Sequence, residues 1–204
     1  MDVFKHIHRN NVWGSRESVS GPGSTSEQTR RLSAGFDAAV AELGVKTICD
    51  VACGDFEWLS RTDASRIVVS ASDVVPSLVE RNRTRYPGVH FDIRDVCDES
   101  SAGAMPCVDM ALARDVFVHL PLDAIFRAIR NIRKSGARYI ATTTFINREN
   151  SDILTGEWRP LCMLAPPFSW PPPDVLISER CTEQYPAYMD KSLGIWKLSA
   201  IPLQ

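Results

Sequence analysis

Asp50, Asp73 and Asp95, with Asp115 and His119 further on, are the side chains whose types and spacing can do chemistry in this chain. Thr47 to Val51 reads as a short apolar strand that ends on Asp50 and Val51 and enters a turn of small residues, Ala52, Cys53 and Gly54. The first turn of a helix is expected next, with Asp55 capping its backbone N–H groups. Small side chains let the backbone come close to a bound molecule, and a strand end followed by a helix N-terminus offers donors to a carboxylate or phosphate. Asp73 closes a second β-rich run, Arg66 to Asp73, and falls ~20 residues after the glycine turn, the spacing that places a carboxylate on ribose hydroxyls in nucleotide-binding α/β units. The turn is not a full G-x-G-x-x-G, since Ala52 and Phe56 stand where a dinucleotide site wants glycine, and it has no G-K-[ST]. Nicotinamide and nucleoside triphosphate are disfavoured accordingly. An ordinary strand-to-helix connection explains the turn, taken alone, equally well.

The elements that must position these residues alternate. Ser26 starts a helix with Leu32, Phe36, Val40 and Leu43 on one face, and Gly44 stops it. Pro76 suits the first turn of another, with Leu78, Val79 and Tyr86 buried and Arg81, Arg83 and Arg85 outward as a solvated face. Val89 to Ile93 is a third strand, Ser100 to Pro106 a loop and Val108 to Ala113 a fourth strand. Pro121 opens a helix carrying Leu122, Ile125, Phe126, Ile129 and Ile132, and Gly136 ends it before a fifth strand, Ala137 to Thr144. Val175 to Ser178 and Leu193 to Ser199 form a final antiparallel pair. The fold class is therefore α/β, a Rossmann-like three-layer sandwich on a mostly parallel seven-stranded sheet with an antiparallel C-terminal strand. Ligands in such sheets sit beyond the carboxyl ends of the strands, where Ala52, Asp73, Asp95, Arg114 and Thr144 all fall.

Asp50-Val51-Ala52-Cys53-Gly54-Asp55 resembles the first motif of the class I S-adenosylmethionine-dependent methyltransferases. Ser72-Asp73-Val74 is similar to their ribose-binding acid and the apolar residue that packs on adenine, Asp92 to Val96 to the acidic loop at the adenine amino group, and Val108 to Asp115 to the fourth-strand motif that reaches the methionine end. The resemblance covers roughly residues 45 to 145. It implies S-adenosylmethionine as cofactor, held by Asp50, Ala52, Cys53, Gly54, Asp73, Val74, Asp95, Val96 and Arg114, and methyl transfer to a small-molecule acceptor. His119 is the candidate base, because an imidazole titrates in the useful range, with capping of the next helix as the competing role. Asp115 is expected to orient His119, to meet the cofactor's amino group, or to cap locally. A nicotinamide-dependent oxidoreductase and a non-catalytic cofactor-binding subunit are the other classes.

One domain is expected over residues 1–204, divided into an N-terminal lid or tail (1–25), a cofactor-binding core (26–145) and acceptor-side loops with the last strands (146–204). Trp13-Gly14 and Ser20-Gly21-Pro22-Gly23-Ser24 make both a lid and a flexible tail reasonable for the first part. Trp158-Arg159-Pro160 and the proline-dense run Ala165 to Asp174 suggest irregular chain packed across the strand ends. Trp13, Trp158 and Arg159 are the expected acceptor contacts. A net charge of −2 gives no general attraction to phosphate backbones, so a nucleic-acid partner is not expected. Six cysteines without a C-x-x-C pair suggest a reduced, cytoplasmic setting. Neither a metal site nor a membrane span is expected.

Overall fold

The computed structural model describes residues 2–63 and 67–202. Its elements run α1 (Asp2–Asn10), α2 (Ser26–Glu42), β1 (Thr47–Val51), β2 (Val68–Asp73), α3 (Pro76–Arg85), β3 (His90–Ile93), β4 (Met110–Ala113), α4 (Leu122–Lys134), β5 (Tyr139–Thr144), β6 (Val175–Ser178) and β7 (Ser192–Lys197). The start of the second run at Arg66 lies outside the described residues. The seven strands are ordered β3-β2-β1-β4-β5-β7-β6, and β7 pairs antiparallel with both of its neighbours while the β1 to β5 pairings are parallel.

Period-two alternation along the central strands decides the layers. Ile48, Met110 and Leu112 point to the side covered by Leu32 and Phe36 of α2 and Val79 of α3. Cys49, Ala111 and Ala113 point to the other, where Ile125, Ile129 and Ile132 of α4 pack with Phe168, Trp170 and Trp196. Both faces of the sheet are therefore buried, as parallel pairing requires. The proline-dense segment does the work of a covering helix, because Leu161, Met163, Phe168 and Trp170 are all buried against the α4 face.

Two local expectations fail. Among the described residues no α-helix follows the first turn: Gly54 and Phe56 both take positive φ (55° and 60°), and a short 3-10 turn at Leu59–Arg61 follows. That bend drives Phe56, Trp58 and Leu59 into the core, which a regular helix this close to β1 would have spread around its axis. Asp55 has a different task from capping. Its carboxylate accepts the hydroxyls of Ser18 (2.8 Å) and Ser20 (3.1 Å) and the N–H of Val19 (3.0 Å), whereas its bond to the Glu57 N–H is long at 3.3 Å.

Residues 15–25 consequently cross the strand ends as a strap fixed at three places. Glu17 accepts the N–H of Ser26 at 2.6 Å, at the positive end of α2, and pairs with Arg61 at 3.1 Å. Asp55 holds Ser18 to Ser20, and Ser20 Oγ in turn accepts the Asp55 N–H at 2.8 Å. Further on, the carbonyl of Gly23 accepts from Arg114 at 2.8 Å. Gly54 must be glycine for this to fit, since a Cβ there would stand 2.1 Å from Ser20 Oγ.

Candidate active site

The carboxyl ends of β1, β2 and β4 and the loop after β3 open into a cavity of about 1060 Å³, its mouth included. Asp50, Ala52, Cys53, Gly54, Asp73, Val74, Asp95, Val96 and Arg114 all line it, together with Asp115 and His119. Trp13 and Ser20 of the N-terminal segment, with Phe4 and His8 of α1, form the opposite wall. A second cavity of about 800 Å³ adjoins it and is lined by Trp13, Phe145, Trp158 and Tyr188, with Glu183 and Lys191. Trp13, Ser20, Asp115 and His119 belong to both, so the two chambers meet at these residues.

Asp73 is buried at the end of β2, where its two oxygens accept the N–H groups of Gly54 (3.0 Å) and Val75 (3.0 Å). Burial raises its pKa, and these backbone donors work against that. Asp50, in β1 and only 2% exposed, has no such help: its Oδ2 is buried without a hydrogen-bond partner among the described residues. Burial, reinforced by the neighbouring Asp73, pushes its carboxyl up to about 8. A buried carboxylate oxygen lacking a donor, in the wall of a cavity, is a place for a ligand's N–H or O–H.

Arg114 reaches the cavity from the end of β4, yet its charge is already engaged. It forms a forked pair with Glu179 (3.2 and 2.7 Å), lies 3.3 Å from Asp115 and stacks over Trp58 at 5.4 Å. Lys191 completes the knot on Asp115 at 2.6 Å and on Glu179 at 3.5 Å. Burial alone would raise the Asp115 pKa, but Lys191 and Arg114 outweigh it and hold the carboxyl below the usual range. Asp115 sits at φ 55°, an unfavourable conformation for a residue with a Cβ, and is held there by a reciprocal pair with Thr143: Asp115 N–H to Thr143 Oγ1 at 2.8 Å, and Thr143 Oγ1 to Asp115 Oδ1 at 3.1 Å.

His119 is oriented by a different group from the one expected. Its Nδ1 lies 2.9 Å from the carbonyl oxygen of Glu157. A carbonyl only accepts, so Nδ1 carries the proton and Nε2 keeps the lone pair. Burial lowers the imidazole pKa, so the neutral form prevails at neutral pH.

Trp13 packs on this ring at a centroid distance of 4.9 Å, and Trp158 meets Tyr188 edge-on at 4.8 Å in the second chamber. Arg159, expected at the acceptor, lines neither chamber. Its buried guanidinium donates to the carbonyls of Ser151 (3.0 Å), Phe117 (2.8 Å) and Leu120 (2.7 Å), fixing the turn that carries His119. Phe145, Tyr188, Glu183 and Lys191 also line the second chamber and carry no motif or spacing that marks them in the sequence. Among the described residues no group of three or more His, Cys, Asp or Glu side chains is placed to hold a metal ion, and no helix is long and apolar enough to cross a membrane.

No protein-family model matches the chain, and no curated protein matches it by sequence. Solved structures do. The N-methyltransferase NodS of Bradyrhizobium japonicum, in complex with S-adenosyl-L-homocysteine, superposes with a TM-score of 0.54 at 14% identity over 71% of this chain and 74% of its own. The magnesium protoporphyrin IX methyltransferase of Synechocystis, with the same molecule bound, gives 0.52 at 13% identity over 72% and 71%. Human N-acetylserotonin methyltransferase, in complex with S-adenosylmethionine, gives 0.56 at 12% identity over 79% of this chain but 50% of its own. The likeness carries the fold: this chain has the Rossmann-like fold of these S-adenosylmethionine-dependent methyltransferases.

Two outcomes follow from the site. Arg159→Ala removes a charged donor from three carbonyls, and denaturant unfolding is expected to show a loss of about 3–5 kcal/mol, with Lys recovering only part because it lacks the planar fork. An unchanged midpoint would mean that Arg159 is dispensable to the turn. Asp50→Asn concerns pH. A folded-state pKa near 8, against an ordinary value of ~3.9, means that the wild type loses stability as pH rises through this window. The ligand-free variant is expected to gain on the wild type progressively from about pH 4 to pH 8, by about 2–5 kcal/mol in all. A difference independent of pH, measured by unfolding at several pH values, would contradict the raised pKa.

Proposed function

We propose that the protein transfers a methyl group from S-adenosylmethionine to an oxygen or nitrogen of a small-molecule acceptor. One observation carries this reading: two chambers of unequal character meet at His119 and Asp115, one edged by acids at the strand ends and the other walled by aromatic rings. A two-substrate group transfer needs that arrangement. The fold shared with methyltransferases solved with S-adenosylmethionine or its demethylated product supports it.

The residues of the first chamber fit this cofactor. Asp73, pinned by the Gly54 and Val75 N–H groups, presents its remaining lone pairs to ribose hydroxyls; Val74 and Val96 flank the place for adenine, with Asp95 beside them. The donorless Oδ2 of Asp50 suits the α-ammonium of the methionyl end, which would draw the carboxyl into its ionised form. When bound, the cofactor supplies a methyl group on a positively charged sulfur, and its transfer leaves a neutral thioether.

The chain's own contribution is positioning, water exclusion and a proton acceptor. The strap and α1 cover the strand ends, so the N-terminal segment acts as a lid. His119 Nε2, left unprotonated by the Nδ1 bond to Glu157, takes a proton from a nucleophile that arrives with one. Asp115 stays ionised on Lys191 and Arg114, so it sets the local field rather than exchanging a proton. A hydride-transfer reading is weaker, because the turn lacks the glycine fingerprint.

Titration calorimetry with S-adenosylhomocysteine is expected to show binding, with Asp73→Asn weakening it by about 1–3 kcal/mol through the lost hydroxyl acceptor. Absence of heat with the wild type, or tighter binding of NADH, would overturn the proposal.

A further inference from the structure

We propose that the second chamber selects an arylalkylamine, an acceptor with a flat ring and a protonated aliphatic nitrogen, and that Glu183 recognises its charge. This deepens the reading above and rests on it for the identity of the methyl donor. The chamber's walls come from four separate parts of the chain: Trp13 from the N-terminal segment, Phe145 from the end of β5, Trp158 from the following loop and Tyr188 from the turn before β7. Phe145, Trp158 and Tyr188 form a mutually edge-on set, with centroids 6.1, 5.9 and 4.8 Å apart. Trp158 remains 41% exposed in spite of these contacts, so much of its indole is left to meet something else. Aromatic walls accept a flat ring by edge and face contacts, and their faces attract a cation.

Charge then narrows the class. Among the described lining residues the one cation is Lys191, and its ammonium is held by Asp115 and Glu179. Glu183 is different. It lines the chamber, takes part in no ion pair within 4 Å among the described residues, acts on Arg114 only from a distance through its charge, and accepts a long thiol contact from Cys181 at 3.8 Å. Gly23 keeps the space beside it open: a Cβ at that position would stand 3.1 Å from Glu183 Oε1, 3.2 Å from Lys191 Nζ and 3.3 Å from Asp115 Oδ2. With His119 neutral, Asp115 and Glu183 against Lys191 leave the lining one negative charge in excess. An acceptor carrying a carboxylate would set it against Glu183 with no free cation to receive it, whereas an ammonium completes the pair.

The chemistry balances. The ammonium gives one proton to His119 Nε2, and the freed lone pair forms the N–C bond. The S–C bond breaks with its electrons remaining on sulfur, and the product leaves as a methylated ammonium.

The test uses three probes that share one ring, 2-phenylethylamine, 2-phenylethanol and 3-phenylpropionate, titrated against the intact protein and followed by tryptophan fluorescence, with and without S-adenosylhomocysteine. The amine is expected to bind at least tenfold more tightly than the acid, with the alcohol between them. Glu183→Gln is expected to bring the amine and the acid within about twofold while S-adenosylhomocysteine binds as before, which also reports that the variant is folded. Binding of the acid equal to or tighter than the amine, no binding of any probe, or a preference that survives Glu183→Gln overturns the proposal. Probe selectivity without any binding of S-adenosylhomocysteine would instead refute the methyl-donor reading and leave the charge selection standing.

Discussion

The buried knot of Arg114, Asp115, Glu179 and Lys191 is the constraint on which the other features depend. Arg114 and Glu179 have side chains only 1% and 2% exposed, and withdrawing such charges from water costs several kcal/mol each unless their geometry is good. The geometry is good: a forked guanidinium pair, a lysine bridging two carboxylates and a carbonyl from the strap use most of the donors present. Removing one partner would strand the rest. A core of this kind gives little net stability, but it permits one relative placement of the end of β4, the chain just beyond β6, the start of β7 and the strap. Those four pieces are the floor between the two chambers.

Two irregular segments converge on that floor. The strap reaches it through Asp55 and Arg114, and residues 156–159 reach it through backbone bonds of Gly156 to His119 (2.9 Å) and Arg159 to Val118 (3.2 Å), together with the three bonds of the Arg159 side chain. His119 therefore has its backbone, its ring nitrogen and its flanking carbonyls all set by chain distant in sequence. In the proposed role of proton acceptor, a ring held this firmly would give up little to reorganisation.

Much of this was legible in the sequence, and the parts that were not share a cause. The strands, the three main helices and the row of acids at the strand ends follow from apolar period, Pro and Gly punctuation and local spacing, each a property of neighbouring residues. Asp55 looks locally like a helix cap, but its partners Ser18, Val19 and Ser20 lie 37, 36 and 35 residues away, and the bonds of Arg159 to Phe117 and Leu120 span 42 and 39 residues, so neither set is visible in local spacing. Directly after β1 the described chain bends at Phe56 instead of entering a helix, because burial of the aromatic Phe56 and Trp58 overrides the local pattern. The aromatic second chamber gathers Trp13, Phe145, Trp158 and Tyr188 from four places, and only the folded strand order brings them together. α1 gave no signal beyond a polar terminal stretch.

In the proposed complex the acid-edged chamber holds S-adenosylmethionine in one direction, with its reactive end toward the aromatic chamber. A crystal structure of the complex with S-adenosylhomocysteine tests it most directly. The expected density places the ribose hydroxyls on Asp73, the amino-acid end beside Asp50, and the sulfur facing the junction at His119 and Trp13. Density for the ligand reversed in the chamber, or bound elsewhere with the acids at the strand ends still unpartnered, would contradict it.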